Sequence, residues 1–416
     1  MESPPEPSER NRPGPRAGGR ALGIANTSSV SPSGSFPGVV LDEGRRFLDH
    51  LRKVDVIVFA PRGVELREAR AVPERMHLQY ARIPRAADRL GRPLRMGFEM
   101  AALTVALLRT FHRDPVDVLR ADDTVVTGLP TVIVGKLLRI PVFVFLAGSI
   151  EETVGAKLQG SKATGPTRRF VRWLEGNVVR TADGVLAVNR ALASSAQQGG
   201  AKLVETTTSF VDVGRFAPRT VDESDDRARA SFSIRYLGRL EREKGIFDLL
   251  DAVERLARPG TPRIDLEYVG GGSRLAELQE EITRRSLRQW VSIRGPVPHD
   301  QVPALLALTD LLVLPSYTEG SPTIVYEAML AGVPVIATRV GSLPDQFRDG
   351  VDILFVETGE PEGLADAIRR LVADAGLRTR LRKEAGVKAR DLVARYLPTQ
   401  LEFIERVLAA DASEHS

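Results

Sequence analysis

Two glutamates, with seven residues between them, lie in one short stretch of the second half of the chain. Glu319 lies in a Gly/Ser/Pro-rich turn directly after an apolar run, Leu311 to Leu314, and Glu327 lies about one turn into the helix that we expect next. A strand–turn–helix unit directs backbone N–H groups and the positive helix end at one point, where an anion can bind. Two carboxylates above an anion site suit a ligand that is both phosphorylated and rich in hydroxyls, such as a nucleotide sugar.

Two cations follow another predicted strand end. Gly238 ends that strand, Arg239 comes next, and Lys244 stands five residues further on. Both side chains could reach a diphosphate, the guanidinium as a fork and the ammonium as a point charge. The alternative is a solvated turn in which Glu241 and Glu243 are their ion-pair partners.

A run of three glycines, Gly270 to Gly272, follows the next predicted strand. The dinucleotide spacing G-x-G-x-x-G is incomplete, because position 275 is Leu. A tight turn into a helix is the better interpretation, and a Rossmann dehydrogenase is not supported.

The composition bounds the class of protein. A chain of 416 residues predicts two domains, and a hydrophobic content of 43% predicts real cores. Cysteine is absent, which excludes disulfides and thiolate metal sites. A net charge of +4 is too small to indicate a nucleic-acid-binding protein. With no apolar stretch of membrane-spanning length, we expect a cytoplasmic protein.

Short apolar runs alternate with helical patterns along both halves, which is typical of parallel sheets covered by helices. The expected organisation is a disordered tail (1–20), a first Rossmann-like domain (21–215), a linker (216–230), a second Rossmann-like domain (231–395) and a C-terminal helix that returns to the first domain (396–416). In the first half the runs taken as strands are Leu22 to Ala25, Val54 to Phe59, Thr124 to Val126, Pro141 to Leu146 and Gly184 to Val188.

Seven segments of the second half, taken together, resemble glycosyltransferase family 4, which has the GT-B fold. They stand in the family's order: Gly238-Arg239 with Lys244-Gly245, Val269 to Gly272, Gly295 to Val297, Ser316 to Pro322, Glu327 to Met329 with Ala331 to Pro334, Val340 to Asp345, and Asp349 to Val351 with Leu354. The resemblance covers essentially the whole second half. It implies two doubly wound α/β domains facing each other across a cleft.

The resemblance also implies a role for each donor-site residue. Arg239 and Lys244, beside Gly238, would bind the donor diphosphate, and Glu319 would contact the transferred sugar. Glu327 would hold the ribose. The remaining donor contacts would come from backbone groups, those of Gly320, Ser321, Pro322 and Thr323 at the phosphate and those near Pro296 and Val297 at the base.

The first half departs from the family pattern. Ala147, before Gly148, stands where the family usually has a His that helps to bind the donor sugar or the acceptor. The Gly-rich loop that the family has after the first strand is only weakly matched in this sequence, where Gly34 and Gly38 are its candidate glycines. Ser209 and Phe210 replace the usual Asn-Gly. These departures concern the acceptor side and leave the donor constellation intact.

Aromatic and basic side chains alternate on one predicted helix, around Phe170 and Trp173 with Arg168, Arg169 and Arg172. The helix could lie on an anionic membrane that carries a lipid-linked acceptor, which would place the protein at the inner face of the membrane. The favoured interpretation is that the apolar stripe of Phe170, Trp173, Leu174 and Asn177/Val178 packs on the sheet while the arginines face water.

We therefore expect a retaining glycosyltransferase that moves a sugar from a nucleotide-diphosphate sugar to a hydroxyl acceptor, a glycan, a lipid-linked molecule or a small molecule. Glu319, Arg239 and Lys244 would be its catalytic residues. No Asp-x-Asp pair occurs, so we expect neither a metal nor another cofactor. The alternative is a non-catalytic nucleotide-sugar-binding protein of the same fold.

Overall fold

The computed structural model describes residues 19–29, 38–61, 72–83, 92–148, 165–216, 231–257 and 263–414. The expected tail, apart from residues 19 and 20, and the expected linker, apart from Phe216, lie outside the described residues, as does Gly34.

The first half forms a parallel sheet of seven strands in the order β3-β2-β1-β4-β5-β6-β7. Its strands are β1 (Ala21–Ser29), β2 (Lys53–Pro61), β3 (Met76–Ile83), β4 (Val118–Ala121), β5 (Val142–Leu146), β6 (Gly184–Ala187) and β7 (Val204–Thr206). Its helices are α1 (Gly38–Leu48), α2 (Arg92–Arg113), α3 (Gly128–Leu138), α4 (Gly165–Thr181) and α5 (Arg190–Gln198). The central strands are buried over their whole length, which is why they appear in the sequence as continuous apolar runs.

One expected strand of this sheet is wrong. Residues 124 to 126 form a turn, and the strand at this place is β4. The Asp123 carboxylate accepts hydrogen bonds from the backbone N–H groups of Val125 at 2.7 Å and Val126 at 2.6 Å. An Asp that bonds the backbone just ahead of it favours a turn and the start of a helix over a strand.

The second half forms a parallel sheet of six strands in the order β10-β9-β8-β11-β12-β13. Its strands are β8 (Phe232–Leu237), β9 (Ile264–Val269), β10 (Val291–Gly295), β11 (Leu311–Leu314), β12 (Val335–Thr338) and β13 (Leu354–Val356). Its helices are α6 (Ile246–Leu256), α7 (Leu275–Arg284), α8 (Val302–Ala307), α9 (Thr323–Leu330), α10 (Leu343–Gln346), α11 (Pro361–Ala373) and α12 (Ala375–Ala394). Each strand expected from the apolar runs of this half is present, within two residues at each end; the runs are Ser233 to Leu237, Ile264 to Val269, Val291 to Arg294, Leu311 to Leu314, Val333 to Ala337 and Ile353 to Val356.

The last helix, α13 (Tyr396–Glu414), packs against the first domain. The rings of Phe403 and Phe143 meet edge to face with centroids 5.5 Å apart. At the start of the helix, the Tyr396 hydroxyl donates to Glu43 of α1, which also pairs with the buried guanidinium of Arg120. The chain thus crosses from the second domain back to the first through a buried aromatic and ionic contact.

For Phe170 and Trp173, the favoured interpretation that the apolar stripe packs on the sheet is wrong. Their side chains are 59% and 60% exposed, and their rings stack with centroids 5.9 Å apart. Val178, from the same predicted stripe, and its neighbour Val179 are buried in the first-domain core. The aromatic pair therefore belongs to the solvent-facing surface.

The expected architecture of two doubly wound α/β domains is confirmed. In each sheet the strand order reverses once, between β1 and β4 in the first and between β8 and β11 in the second. Ligands of open parallel sheets bind outside the carboxyl ends of the strands at this reversal. None of the described helices is long and apolar enough to cross a membrane.

Candidate functional site

The segment that begins at Gly238 and the turn that carries Glu319 meet where the second sheet reverses its strand order. Gly238 and Arg239 follow β8, and the turn that carries Glu319 follows the neighbouring strand β11. Sheet pairing therefore brings together segments that lie about eighty residues apart in the sequence.

Lys244 and Glu319 form an ion pair at the centre of this site. The Lys244 Nζ lies 2.9 Å from the Glu319 Oε1, and each side chain is only 13% exposed. The ammonium also donates to the Thr318 carbonyl at 3.1 Å, and the Ser316 hydroxyl donates to the same carboxylate oxygen at 2.7 Å. An ammonium carries three protons, so these two contacts leave capacity for a third acceptor such as a phosphate oxygen.

Backbone contacts hold the segment that carries Lys244 against the turn that carries Glu319. The Tyr317 N–H donates to the Glu243 carbonyl at 2.8 Å. Gly245 has a φ of +66°, and a Cβ there would lie 1.9 Å from the Pro315 carbonyl oxygen. Only glycine accommodates both the left-handed conformation and this close approach.

Arg239 lies at the edge of the site and is about half exposed. Its guanidinium is 3.5 Å from the Glu243 carboxylate, which is also exposed. An exposed pair of this kind contributes little to stability and leaves the guanidinium mobile enough to meet a ligand. Glu241, the other partner considered from sequence, instead accepts hydrogen bonds from Ser273, at 2.8 Å from its N–H and 2.5 Å from its hydroxyl.

The turn that carries Glu319 leads into the N-terminus of α9, where Thr323 is the first residue. Tyr326 on this helix is buried, and its hydroxyl contacts the hydroxyls of Ser321 at 3.0 Å and Ser342 at 3.1 Å. The buried tyrosine thus fixes the turn to the helix, so that the N–H groups around Gly320 to Thr323 keep one orientation.

Glu327 lies on the same helix and is 5% exposed. Its Oε1 is 3.1 Å from the Nε2 of His299, a residue of the short helix that precedes α8. The Glu327 carboxylate raises the pKa of His299, an effect opposed by partial burial and by the charge of Arg215. Sequence reasoning assigned no role to His299, because a single His far from Glu327 in the chain gives no spacing signal.

The first domain contacts the Glu319 turn directly. The Asn189 side-chain amide donates to the Gly320 carbonyl at 3.2 Å, and the Ser209 hydroxyl donates to the Ser321 carbonyl at 3.1 Å. A Cβ at Gly320 would lie 1.8 Å from the Ala147 carbonyl oxygen. The segment in which Ala replaces the expected His therefore faces the donor turn through its backbone.

The remaining sequence candidates are placed as follows. Val297 is partly buried against the second-domain core, one residue beyond Pro296, which faces Gly271. Gly148 adjoins Gly320 beside Ala147. Gly38 is the first residue of α1, while the other loop candidate lies outside the described residues.

Within the described residues, one group of carboxylate and imidazole atoms is compact enough for a metal, namely Asp55, His77 and Asp114. The Lys53 ammonium lies 2.8 Å from Asp55 and 2.5 Å from Asp114, so a cation already neutralises the carboxylates. Asp55 stands near the amino end of β2, whereas the donor site lies at the carboxyl ends of strands. The group does not belong to the candidate site.

Two family models match the two halves of the chain. The "Glycosyl transferase 4-like domain" matches residues 48–207, and "Glycosyl transferases group 1" matches residues 224–387. The chain belongs to the group 1 glycosyltransferases. The resemblance found in the donor motifs is thus confirmed, and the first domain is matched as well.

Individual relatives agree with this family. The chain is 29% identical over 369 residues to TuaC of Bacillus subtilis strain 168, which carries a provisional assignment as a teichuronic acid biosynthesis glycosyltransferase, and the match covers 82% of this chain and 87% of TuaC. It is 27% identical over 301 residues to the glycogen synthase of Mycobacterium tuberculosis strain H37Rv, covering 69% and 68% of the two chains.

Solved structures share the glycosyltransferase fold. The crystal structure of Anabaena HepE in complex with UDP-glucose has a TM-score of 0.69 at 20% identity and covers 94% of this chain and 100% of that chain. Sucrose-phosphate synthase from Thermosynechococcus elongatus has a TM-score of 0.71 at 18% identity, with the same coverage.

Proposed function

We propose that this group 1 glycosyltransferase moves a sugar from a nucleotide-diphosphate sugar to a hydroxyl acceptor, with retention of configuration at the anomeric carbon and without a metal ion. The observation that carries the proposal is the Lys244–Glu319 pair beside the N-terminus of α9. It brings a cation from one segment beside the carboxylate and the helix N–H groups of another. These are the groups that a sugar diphosphate requires.

In the proposed complex the diphosphate lies between the two glutamates. Arg239, Lys244 and the backbone N–H groups of Gly320, Ser321 and Thr323 stabilise the charge that gathers on the diphosphate as its bond to the anomeric carbon breaks. Fixed donors in a partly closed cleft stabilise such charge more strongly than water does. The uridine diphosphate sugar in the HepE structure makes UDP-sugars the first donors to test.

Glu319 and Glu327 hold hydroxyl groups at opposite ends of the donor in this proposal. Glu319, already oriented by Ser316 and Lys244, accepts from the sugar hydroxyls and stabilises positive charge near the anomeric carbon. Glu327 accepts from the ribose. The acceptor hydroxyl then attacks from the wall of the cleft that the first domain forms.

Metal independence rests on the residues around the donor. The chain has no Asp-x-Asp pair, and the compact metal-type cluster of the described residues lies away from the donor site with a lysine in its midst. Arg239, Lys244 and the helix end would supply the positive charge. Turnover that survives EDTA supports this assignment, and activity that returns only with Mg²⁺ or Mn²⁺ contradicts it.

A thermal-shift panel of nucleotide sugars, followed by nucleotide-release assays, tests the function, because a bound ligand raises stability by mass action. Glu319→Gln keeps the shape of the side chain and should lower turnover strongly. Glu205→Gln, which removes the charge of a first-domain ion pair with Arg406, is the matched control. If a nucleotide binds but the wild type and Glu319→Gln release it equally slowly with every acceptor tried, the non-catalytic alternative is correct.

We also propose that the acceptor is reached at an anionic membrane surface, through the exposed side of α2, α3 and α4. These three neighbouring helices bury one side on the sheet and expose seven large apolar side chains to solvent: Leu94, Phe98, Val105, Ile133, Leu137, Phe170 and Trp173. Exposed basic residues, among them Lys136, Arg169 and Arg172, lie between them. Amphipathic surfaces of this composition suit anionic lipids.

A groove beside α2 extends this surface. It has a volume of about 530 Å³ and lies against β3, with Phe98 and Val105 among its apolar walls and Arg82 and Arg109 among its polar ones. Apolar side chains beside two guanidinium groups in one groove fit a lipid chain with an anionic headgroup better than they fit a free sugar.

Sedimentation with vesicles tests the membrane contact. The wild type should pellet with phosphatidylglycerol vesicles and less with phosphatidylcholine vesicles, and Phe170→Ser combined with Trp173→Ser should reduce pelleting. Leu308→Ser is the control, since Leu308 is 62% exposed but lies on the second domain. Equal pelleting of all variants contradicts the proposal. The proposal also fails if the wild type is a dimer in light scattering and the double variant is a monomer that still binds vesicles, because the exposed apolar side chains would then belong to an interface between two copies of the chain.

A further inference from the structure

A chain of four side chains joins α1 of the first domain to Glu327 in the second. Arg215 donates from its Nη2 to the Asp42 carboxylate at 2.7 Å, and its Nη1 lies 3.4 Å from the Nδ1 of His299. The Nε2 of the same imidazole is 3.1 Å from Glu327. The two ring nitrogens thus face opposite partners in different parts of the molecule.

The chemistry of these partners determines the state of the ring. A guanidinium can only donate, so the Nδ1 of His299 accepts from Arg215 when the neutral ring carries its proton on Nε2. The Nε2 then carries the proton and donates to the Glu327 carboxylate. The neutral ring therefore links both partners, whereas the protonated ring keeps Glu327 and turns an N–H toward the Arg215 cation.

We propose that His299 is a positioning residue, which orients the ribose carboxylate Glu327 and couples it to the first domain through Arg215 and Asp42. This inference rests on the proposed function, because it assigns Glu327 to the donor ribose. Its consequence is that the nucleoside end of the donor site is complete only when the two domains are together.

The charged groups around the imidazole act in opposite directions. Glu327 raises the pKa of His299, the positive charge of Arg215 lowers it, and Asp42 raises it. One step further out, Asp212 pairs with Arg215 at 3.5 Å and with Arg46 of α1 at 3.2 Å. Both carboxylates on the first-domain side hold the guanidinium toward His299.

Titration of the His299 ring by NMR tests the coupling without relying on activity. The wild-type ring should titrate above the ordinary value of about 6.5. Arg215→Gln should raise the pKa further, and Glu327→Gln should lower it. His77, which also pairs with a carboxylate, Asp55 at 2.8 Å, is the control resonance in both variants. A His299 ring that responds to neither overturns the proposal.

Nucleotide affinity gives the functional readout. The probe is whichever of UDP, ADP, GDP and dTDP stabilises the wild type most, with affinity measured by calorimetry at pH 7.5. His299→Ala should weaken binding by about tenfold, equivalent to about 1.4 kcal/mol, while His299→Gln retains a donor for Glu327 and should recover most of it.

Asp42→Asn, which lies far from the donor, should weaken binding about threefold, whereas His77→Gln should not. If no nucleoside diphosphate binds the wild type, the proposed function fails, and the ring titration still decides the coupling. If the nucleotide binds equally to the wild type, His299→Ala and Asp42→Asn, the positioning role alone is wrong.

Discussion

Replacing Lys244 with Met tests two effects of this side chain in the proposed donor site: its contribution to stability and its contribution to nucleotide affinity. The ammonium lies 2.9 Å from Glu319, and both side chains are 13% exposed. At an effective dielectric constant of 20, the attraction across this distance is about 6 kcal/mol before desolvation is subtracted. Removing one partner of a buried pair typically costs about 3 to 5 kcal/mol, because the remaining charge loses its compensation.

The expected loss is smaller here, since Glu319 keeps the Ser316 hydroxyl and some solvent. We therefore expect Lys244→Met to lose about 2 kcal/mol, which corresponds to a fall in Tm of about 4 to 8 °C for a domain of this size. For a nucleoside diphosphate, losing a hydrogen bond to a charged group costs about 1.5 to 3 kcal/mol, equivalent to roughly 10- to 150-fold in affinity.

The double variant Lys244→Met with Glu319→Gln distinguishes the two effects. Because the double variant has no unpaired Glu319 charge, its Tm, measured by calorimetry, should return most of the way to the wild-type value. Nucleotide affinity should stay as low as in Lys244→Met, because the phosphate ligand is still missing. The reasoning is refuted if Lys244→Met melts and binds nucleoside diphosphates like the wild type, or if the double variant regains affinity along with stability.

Three further outcomes are expected. Gly320→Ala should abolish transfer and enlarge the radius of gyration in solution scattering, because its Cβ would meet the Ala147 carbonyl oxygen at 1.8 Å; an unchanged radius would contradict this. Phe403→Ala should destabilise the first domain by about 3 kcal/mol in urea unfolding, since the ring is fully buried against Phe143. In thermal melts, the wild type should lose stability relative to His299→Gln as the pH rises from 6 to 8: the folded pKa is raised, so the stabilisation is present below the unfolded pKa and lost above the folded one.

The second domain was predictable because its strands are short, buried and separated by glycine turns. The run Leu311 to Leu314 is buried at every residue, so its apolar pattern has no competing interpretation. The edge strand β3 gives a weaker signal, since buried residues such as Met76 and Ala81 alternate with exposed or partly exposed ones such as His77 and Gln79. It was missed for that reason.

The parts of the site that sequence reasoning could not supply are contacts between distant segments. Asn189 contacts Gly320 from 131 positions away, and Ser209 contacts Ser321 from 112 positions away. Neither pair has a periodicity or a motif that links its members. Asn189 also caps α5 by accepting from the Leu192 N–H, which is a sufficient local reason for an Asn at that position.

The two glutamates that mark the donor site share a feature that their spacing does not show. Glu319 is held by Lys244, and the next residue of its turn accepts a hydrogen bond from Asn189 of the first domain. Glu327 is held by His299, which Arg215 joins to α1. A group of the second domain thus orients each carboxylate, the Lys244 ammonium for Glu319 and the His299 imidazole for Glu327. Each carboxylate is also connected to the first domain through one or two intervening residues. If the proposed function is correct, separating the domains would disturb both ends of the donor site, so donor binding would depend on the contacts between the domains.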